Sequence, residues 1–536
     1  MSTELPEPDA MDPKAAKAAE KAAARDARTA QQAALAAAKA DEKKERKLEK
    51  QGQKSQRKAL AKEERAEKYA KIPLSKRIAI TSGRMLVGLV GIGATVVVLG
   101  SVALVPWPSW GVSAPVVDVN PTGTEQQRVC AGPLLTVGAN LSAATTISSI
   151  GAATVVATGG TTSSLTTDNP NAAVDGAPQV VTAPADAAPL AASQSQELNL
   201  ETVAGLTASA CAEPVTESWL VGGTTALGHT AVLVLGNASD VPAEVHLELF
   251  GADGQLSTIG LGNTTVEPGQ QVSLPLNGYA PSEPNLVVHV MSQGGRVAAA
   301  LDTTAINGLT PFGADVIGPS AALATTATIP GLVVDASAAQ AEFGAGADGF
   351  ASVRLLAPTE QTLTKITVIG ENGIPGATFN ADLQPGEVTD VPLLNLAPGT
   401  YSLMISAEHA VVAAAQSALL AALPTTPPTN AVDYAWFASA STLPDAAGLA
   451  VPSAAPATLH LANPTAADVT VTIGGGQPVV VGSGKAVTVA VPAGASQLTG
   501  MQGLVASVSL QNPGRLASFT VPGVVLDSSS VAVYTR

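Results

Sequence analysis

The sequence predicts a mainly β fold: tandem β-sandwich units, Ig-like or jelly-roll-like, together with a transmembrane α-helix and an Ala/Lys/Glu-rich N-terminal helix. Three observations support this prediction. The 536-residue chain is 46% hydrophobic but only 3% aromatic, and its 50 Gly and 38 Pro separate short runs in which apolar and polar side chains alternate. Such alternation is typical of strands with one buried face. The C-terminal part also repeats itself, and one long run carries no charge.

Charge divides the chain into two parts. Residues 1–84 contain 21 Lys+Arg and 13 Asp+Glu, whereas residues 85–536 contain 7 basic and 30 acidic residues. Between the basic arm and the acidic remainder, residues 85–105 form 21 consecutive residues without a charge. About 20 apolar residues in a helix span the hydrocarbon core of a bilayer, so we predict a transmembrane helix over 85–105.

The residues that flank this run predict its orientation. Lys76, Arg77 and Arg84 precede it, and Trp107 and Trp110 follow it at the depth of the lipid headgroups. The positive-inside rule then places the N-terminus in the cytoplasm and the C-terminus outside, with the lipid bilayer as a partner. We interpret the run as an uncleaved signal anchor of a single-pass cell-membrane protein, since an 84-residue n-region is too long for a signal peptide.

The arm, residues 1–84, is rich in helix-forming Ala, Lys and Glu but has no apolar stripe for a coiled coil. We expect it to be helical or disordered. Two interpretations remain open: a single helix without a partner, or weak contact with anionic headgroups or another acidic partner. No nucleic acid is expected as a partner, because neither aromatic residues nor a binding motif accompany the charge.

The exterior part repeats with a period of roughly 105–120 residues. Residues 233–239, 353–359 and 459–465 each read as a strand that ends in a turn, and a second alternating strand follows each of them. Several short strands per hundred residues with regular turn signals predict β-sandwiches. The predicted units are a membrane-proximal β unit with a long mobile loop (112–215) and three β-sandwich repeats (216–313, 314–430 and 431–536).

Two openings of these units carry a resemblance. Residues 218–225 (SWLVGGTT) and 434–442 (YAWFASAST) are similar to the W-Y-F-A-E-G-S-T opening of β-sandwich repeats in bacterial cell-surface proteins. Their L-x-L-x-N-P turn matches residues 459–464. Over residues 75–536 the plan resembles an uncharacterised actinobacterial family of membrane-anchored exoproteins. The resemblance implies architecture, and it implies no catalytic residues.

The two cysteines both fall in the membrane-proximal unit. Cys130 and Cys211 lie on the predicted outer side, where oxidation is allowed. We predict a disulfide between them, worth about 4 kcal/mol in the chain-entropy model. Two free thiols are the alternative.

No catalytic, cofactor-binding or metal-ligating set can be assembled from the remaining residues. The five histidines have no metal-ligand spacing, the nucleophile-elbow motif G-x-S-x-G is absent, and Gly474–476 and 482–485 are typical of hairpin turns. Asp382 and Glu387 flank a turn and are expected on the solvated surface.

Three functions from different classes follow. The leading hypothesis is a non-catalytic cell-envelope protein that presents stacked β-sandwiches as an extracellular scaffold or interaction surface, with envelope glycan or another envelope protein as partner. A transmembrane sensor or regulator with the arm as its output is the alternative. An envelope enzyme that acts on glycan or peptide is the third, and we expect no enzyme and no cofactor.

Overall fold

Short strands between Gly and Pro turns make up most of the residues that the structure describes, as the alternating pattern predicts. The computed structural model describes residues 116–119, 125–138, 146–168, 176–257, 261, 263–335, 351–423, 429–523 and 531–534. These residues belong to one compact unit, Ala114–Arg536. The fold is mainly β, which confirms the predicted class at that level. Among the described residues, no helix is both long enough and apolar enough to cross a membrane.

Several predictions concern the N-terminal part of the chain. The predicted arm (1–84), the predicted span (85–105) and the five predicted interface residues, Lys76, Arg77, Arg84, Trp107 and Trp110, lie outside the described residues.

The N-terminal unit (126–210) consists of two three-stranded sheets and a hairpin. One sheet has the order β2-β8-β6 and the other β10-β9-β5, while β3 pairs with β4. Ahead of this unit lies β1 (Val116–Val119). The strands are β2 (Gln126–Val129), β3 (Leu135–Val137), β4 (Ile147–Ser149), β5 (Thr154–Ala157), β6 (Thr161–Ser164), β7 (Thr166–Thr167), β8 (Gln179–Ala183), β9 (Ala192–Asn199) and β10 (Ala204–Ala210).

The first sandwich (217–317) has two antiparallel sheets around one core. One sheet has the order β11-β17-β13 with β14 and β15 beside β13, and the other has the order β16-β12-β18-β19. A short 3-10 helix, Leu276–Gly278, follows β16. The strands are β11 (Glu217–Val221), β12 (His229–Asn237), β13 (Ala243–Gly251), β14 (Gly254–Gln255), β15 (Asn263–Val266), β16 (Gln270–Pro275), β17 (Val287–Gly294), β18 (Ala298–Asn307) and β19 (Thr310–Ile317).

The second sandwich (324–438) contains one strand that serves both sheets. Its strands are β20 (Ala324–Val334), β21 (Ser352–Leu356), β22 (Thr362–Gly370), β23 (Ala377–Leu383), β24 (Val388–Pro392), β25 (Gly399–Leu423) and β26 (Thr429–Ala438), with a 3-10 helix at Glu371–Gly373. The first part of β25 (399–407) pairs with β20 and β22, and its second part (412–423) pairs with β21 and β26.

The third sandwich (446–520) repeats the same plan in separate strands. One sheet has the order β27-β32-β29-β30 and the other β31-β28-β33-β34. The strands are β27 (Ala446–Val451), β28 (Ala457–Ala462), β29 (Val469–Ile473), β30 (Val479–Val481), β31 (Ala486–Val491), β32 (Gly494–Thr499), β33 (Val505–Asn512) and β34 (Arg515–Thr520), and β35 (Val531–Tyr534) lies beyond them. Strand β35 pairs with β1, so backbone hydrogen bonds join the two ends of this compact unit.

The three sandwiches share one strand order. If each part of β25 counts as a strand and β14 is set aside, every sandwich has eight strands. Numbered 1 to 8 in chain order within each sandwich, these strands form one sheet of order 1-6-3-4 and a second sheet of order 5-2-7-8. An immunoglobulin constant domain pairs its first strand with its second, so the order here differs from that fold. Each sandwich ends in a strand that pairs with its predecessor: β19 with β18, β26 with β25, and β34 with β33.

This pairing places the unit ends at residues 317 and 438. The boundaries expected from the sequence, 313/314 and 430/431, fall inside β19 and β26. The two tryptophan-containing openings are therefore not equivalent in the structure. Trp219 lies on the first strand of the first sandwich, whereas Trp436 lies on the last strand of the second.

The turn at the end of the recurring segments 233–239 and 459–465 is built in the same way in the first and third sandwiches. The buried Asn237 side chain donates to the carbonyls of Val241 and Val266 and accepts from the Ser239 backbone. Asn463 makes the same three bonds, to residues 467, 481 and 465. An asparagine side chain that bonds to backbone two residues ahead fixes a tight turn.

Candidate functional site at the hub of four strands

The last strands of the four units pack against one another. Strand β10 contacts β19, β19 contacts β26, β26 contacts β34, and β34 contacts β10. We call these four strands the hub. Because the contacts run in a closed cycle, the N-terminal unit and the three sandwiches form a ring, whereas the sequence led us to expect a stack.

One carboxyl group on β26 holds the hub together. Asp433 is fully buried and accepts a hydrogen bond from the backbone N–H of Leu206 on β10 at 2.7 Å. It also accepts from Leu516 on β34 at 3.0 Å and from Ala314 on β19 at 3.2 Å. A single side chain thus joins a strand from each of the other three units, and it also accepts from the Tyr434 backbone at 3.1 Å.

Two glycines allow the strands to approach this carboxylate. A Cβ added to Gly205 would lie 2.7 Å from the Ala314 nitrogen and 2.8 Å from an Asp433 carboxylate oxygen. A Cβ added to Gly313, whose φ is +126°, would lie 2.8 Å from the same oxygen. All three distances are shorter than real Cβ contacts, so the hub needs a glycine at each position.

Two more buried carboxyls connect neighbouring units in the same manner. Asp302 on β18 accepts from the Leu135 N–H of the N-terminal unit at 2.9 Å. Asp315 on β19 accepts from the Trp436 N–H of the second sandwich at 2.7 Å and from its own neighbour Val316 at 2.9 Å. Both side chains are almost fully buried, with relative exposures of 1% and 0%.

Burial dominates the electrostatics of these three carboxyls. Desolvation raises the pKa of Asp433 to about 8, although its hydrogen bonds from Leu516, Leu206 and Ala314 and the nearby charge of Arg515 oppose the shift. Desolvation likewise raises the pKa of Asp302 to about 8 and that of Asp315 well above its usual range. Such groups lower the stability of the folded protein when they ionise.

An arginine joins the first sandwich to the second. Arg354 on β21 is 97% buried and forms a bidentate pair with Asp390, with both N···O distances 2.8 Å. Its guanidinium also donates to the carbonyls of Gly223 and Leu286 in the first sandwich and lies 4.6 Å from the centre of the Trp436 ring. Arg354 thus uses its planar, multiply donating head to bridge two units.

A Ser–His–Glu relay joins the second sandwich to the third. Ser509 Oγ lies 2.8 Å from His460 Nε2, and His460 Nδ1 lies 2.8 Å from Glu371 Oε2. Glu371 Oε1 accepts from the Ser402 hydroxyl at 2.7 Å. Hydrolases use this order of groups to activate serine, but here Ser509, His460 and Glu371 are each at most 2% exposed. A substrate in solvent does not reach the hydroxyl, and the contact between His460 and Glu371 crosses the interface between two units.

A cavity of about 620 Å³ lies at the carboxyl ends of the hub strands. Its wall includes the last residues of all four: Ala210, Ile317, Ala438 and Thr520. We call it the hub cavity. Because each unit supplies part of the wall, the cavity exists only when the ring is closed.

The predicted disulfide is confirmed. Cys130 and Cys211 are bonded to each other, and the bond joins the end of β2 to the end of β10 across the two sheets of the N-terminal unit. Cys211 also contributes to the wall of the hub cavity. Asp382 lies exposed on β23, as expected of a surface residue. Within the described residues, no group of three His, Cys, Asp or Glu side chains could hold a metal ion.

Sequence reasoning missed the hub. Asp315 and Asp433 are lone acidic residues within apolar runs, GADVI and AVDYAWF, which is a signal of a buried or paired carboxyl. The signal does not reveal the partners, which lie 119 and 227 residues away for Asp433 with Ala314 and Leu206.

Comparison with known proteins assigns a family to this architecture. The model of a family of unknown function, DUF5719, matches residues 140–502, a stretch that contains most of the N-terminal unit, the first two sandwiches and most of the third. A search of curated proteins returned no match. The match agrees with the expected membership of an uncharacterised family. Since it covers more than half of the sequence, the chain belongs to the family of unknown function DUF5719.

Proposed function

We propose that the protein is a membrane-anchored component of the cell envelope whose ring of four β units acts as a non-catalytic scaffold or interaction surface. The hub carries this proposal, because Asp433 ties all four units into one body that presents its surfaces in fixed geometry. Tandem domains with flexible linkers would instead move independently. The proposal extends to relatedness with the actinobacterial membrane-anchored exoproteins that carry W-Y-F-A-E-G-type repeats.

The charge asymmetry and the uncharged run at 85–105 support the membrane part of the proposal. The disulfide supports an oxidising location for the ring. The arm would then lie in the cytoplasm and the ring outside the cell.

Impermeant thiol labelling of intact cells tests this orientation. Leu309→Cys places a thiol at a position that is 96% exposed in the ring, and Ser55→Cys places one in the arm. The two native cysteines are bonded to each other and do not react. We expect an impermeant maleimide to label the Leu309 variant in intact cells and the Ser55 variant only after lysis. Labelling in the reverse order would reject the orientation.

The non-catalytic part of the proposal is tested at the Ser–His–Glu relay. If the relay is structural, any hydrolysis of 4-nitrophenyl acetate by the full chain does not depend on Ser509 and continues in the Ser509→Ala variant. The Glu371→Gln variant should unfold at lower denaturant concentration, because the buried His460 loses its carboxylate partner. Ser402→Ala removes only a hydroxyl bonded to the same carboxylate and is the milder control. An activity that depends on both Ser509 and Glu371 would make the protein an enzyme.

A further inference from the structure

The hub cavity has the size of a small-molecule site. Its volume of about 620 Å³ lies within the range of about 300–1,000 Å³ that is typical of ligand pockets. It lies where four units meet, and ligand sites occur preferentially at such domain interfaces. The scaffold role proposed above assigns nothing to this cavity.

The wall of the cavity is mainly apolar. Trp219, Ile317, Leu323, Trp436 and Phe519 contribute its larger side chains, and alanines and prolines from the connections between units supply much of the rest. Such a wall favours a ligand that has apolar surface to remove from water.

The charged groups at the wall are acidic and already paired. Among the described residues that line the cavity, none is a lysine, arginine or histidine, and the charged ones are Glu213 and Glu217. Glu213 lies 2.9 Å from Arg128, and Glu217 lies 2.9 Å from the Nε2 of His289. An anionic ligand would meet no free cation here and would lose its hydration, so the wall selects against negative charge.

Serines of the wall carry enclosed hydroxyls that have no hydrogen-bond partner among the described residues. Ser209, Ser218 and Ser439 belong to the wall, are each more than nine-tenths buried, and have hydroxyls without a partner among the described residues. A buried hydroxyl without a partner costs about 1–3 kcal/mol. A ligand with hydroxyl groups can remove this cost when a serine rotates towards it.

We propose that the hub cavity binds an uncharged small molecule that has an apolar face and hydroxyl groups. The inference goes beyond the scaffold role and does not depend on the orientation in the membrane.

A pair of chromogenic probes tests the proposal on the full chain. 4-Nitrophenyl β-D-glucopyranoside is uncharged and carries both an aromatic ring and hydroxyls, whereas 4-nitrophenyl phosphate has the same ring and a negative charge. Trp219 and Trp436 lie at the wall, so a bound nitrophenyl group quenches their fluorescence. We expect saturable quenching by the glucoside and only weak, linear quenching by the phosphate.

Matched variants locate the binding. Ala321→Phe introduces a ring at the cavity wall, and Ala252→Phe introduces the same ring on a turn of the first sandwich away from the cavity. We expect the first to weaken glucoside binding at least about tenfold and the second to leave it unchanged. Ser439→Ala, which removes one hydroxyl and adds no bulk, should weaken binding about threefold to tenfold and guards against misfolding of the phenylalanine variant.

Any of three results would overturn the proposal. Equal binding of glucoside and phosphate would reject the charge selection. Non-saturable quenching by the glucoside, or saturable quenching that neither Ala321→Phe nor Ser439→Ala alters, would reject the cavity as the site.

Discussion

Replacement of Asp433 by alanine should open the hub while each sandwich stays folded. The substitution removes the carboxyl group that accepts from Leu206, Ala314 and Leu516, one residue in each of the other three units. All three are at most 1% exposed, so water does not replace the lost acceptor. The main hydrophobic clusters of the three sandwiches do not include this side chain, although each also contains residues of a neighbouring unit, such as Trp436, Leu516 and Leu206 respectively.

The expected magnitude follows from those three donors. Each buried N–H left without an acceptor costs about 1–3 kcal/mol, so the three together cost about 3–9 kcal/mol. Removal of a carboxyl whose pKa burial raises to about 8 relieves part of this cost. We therefore expect a loss of about 3–6 kcal/mol, which is a large part of the 5–15 kcal/mol typical of a folded domain.

Amide hydrogen exchange measured by mass spectrometry checks this prediction in the full chain. In Asp433→Ala, exchange should accelerate together in β10, β19 and β34, while β13, inside the first sandwich, should exchange as in the wild type. Asp382→Ala, at an exposed carboxylate of β23 that pairs with Gln361, is the control and should change none of these segments. If the three hub strands exchange at the wild-type rate in Asp433→Ala, the hub does not depend on this carboxylate.

Three further predictions concern pH, an interface and the disulfide. Because burial raises the pKa of Asp302 and Asp433 from 3.8 to about 8, the unfolded chain releases these protons first as pH rises. The free energy of unfolding should then fall between about pH 4 and 8 by up to about 1.4 kcal/mol per pH unit for each carboxyl. Urea titrations at several pH values should show a shallower fall in the Asp302→Asn variant than in the wild type. An unchanged slope would contradict the raised pKa of Asp302. Arg354→Lys loses the bidentate pair and the ring contact, and should cost about 2–4 kcal/mol in denaturant unfolding, whereas a loss below about 0.5 kcal/mol would show that the pair adds little. Replacement of both Cys130 and Cys211 by alanine should cost about 4 kcal/mol in the same assay, and equal stability of the double variant and the oxidised wild type would reject that value.

The elements themselves could be predicted because their signals are local. Residues 245–249 and 469–473 alternate between apolar and polar side chains, and they form β13 and β29. Strand pairs that lie next to one another in sequence, such as β18 with β19, follow from short turns. The disulfide could also be predicted, since a chain with two cysteines has one possible internal pair.

The ends of the sandwiches could not be placed from the sequence. The run at 429–438 contains Trp436 and resembles the start of a unit, but its backbone pairs with β25 and completes the second sandwich. Sequence shows that a run forms a strand, and it does not show on which side its hydrogen-bonding partner lies. That partner depends on which strand edge is still unpaired once the two sheets have packed together.

The Ser–His–Glu relay and the contacts of Arg354 between two sandwiches could not be predicted from the sequence, for a related reason. His460 and Glu371 are 89 residues apart, and Arg354 is 131 residues from the Gly223 carbonyl that it bonds. Neither pair has a spacing that marks it as a pair. His460 sits on an alternating strand, where a histidine is as compatible with solvent as with a buried partner.

The sequence by itself predicted that the part of the chain beyond residue 112 forms short strands, which among the described residues are mainly antiparallel, that these strands recur in units, and that one disulfide is available. The strands depend on residues within a few positions of each other, and the disulfide depends on the chain having only two cysteines. Only the tertiary structure decided that the units close into a ring, that Asp433 lies at its centre and that a cavity opens beside it. These features arise because buried N–H groups on strands from separate units need an acceptor, and the side chain that supplies it comes from another unit.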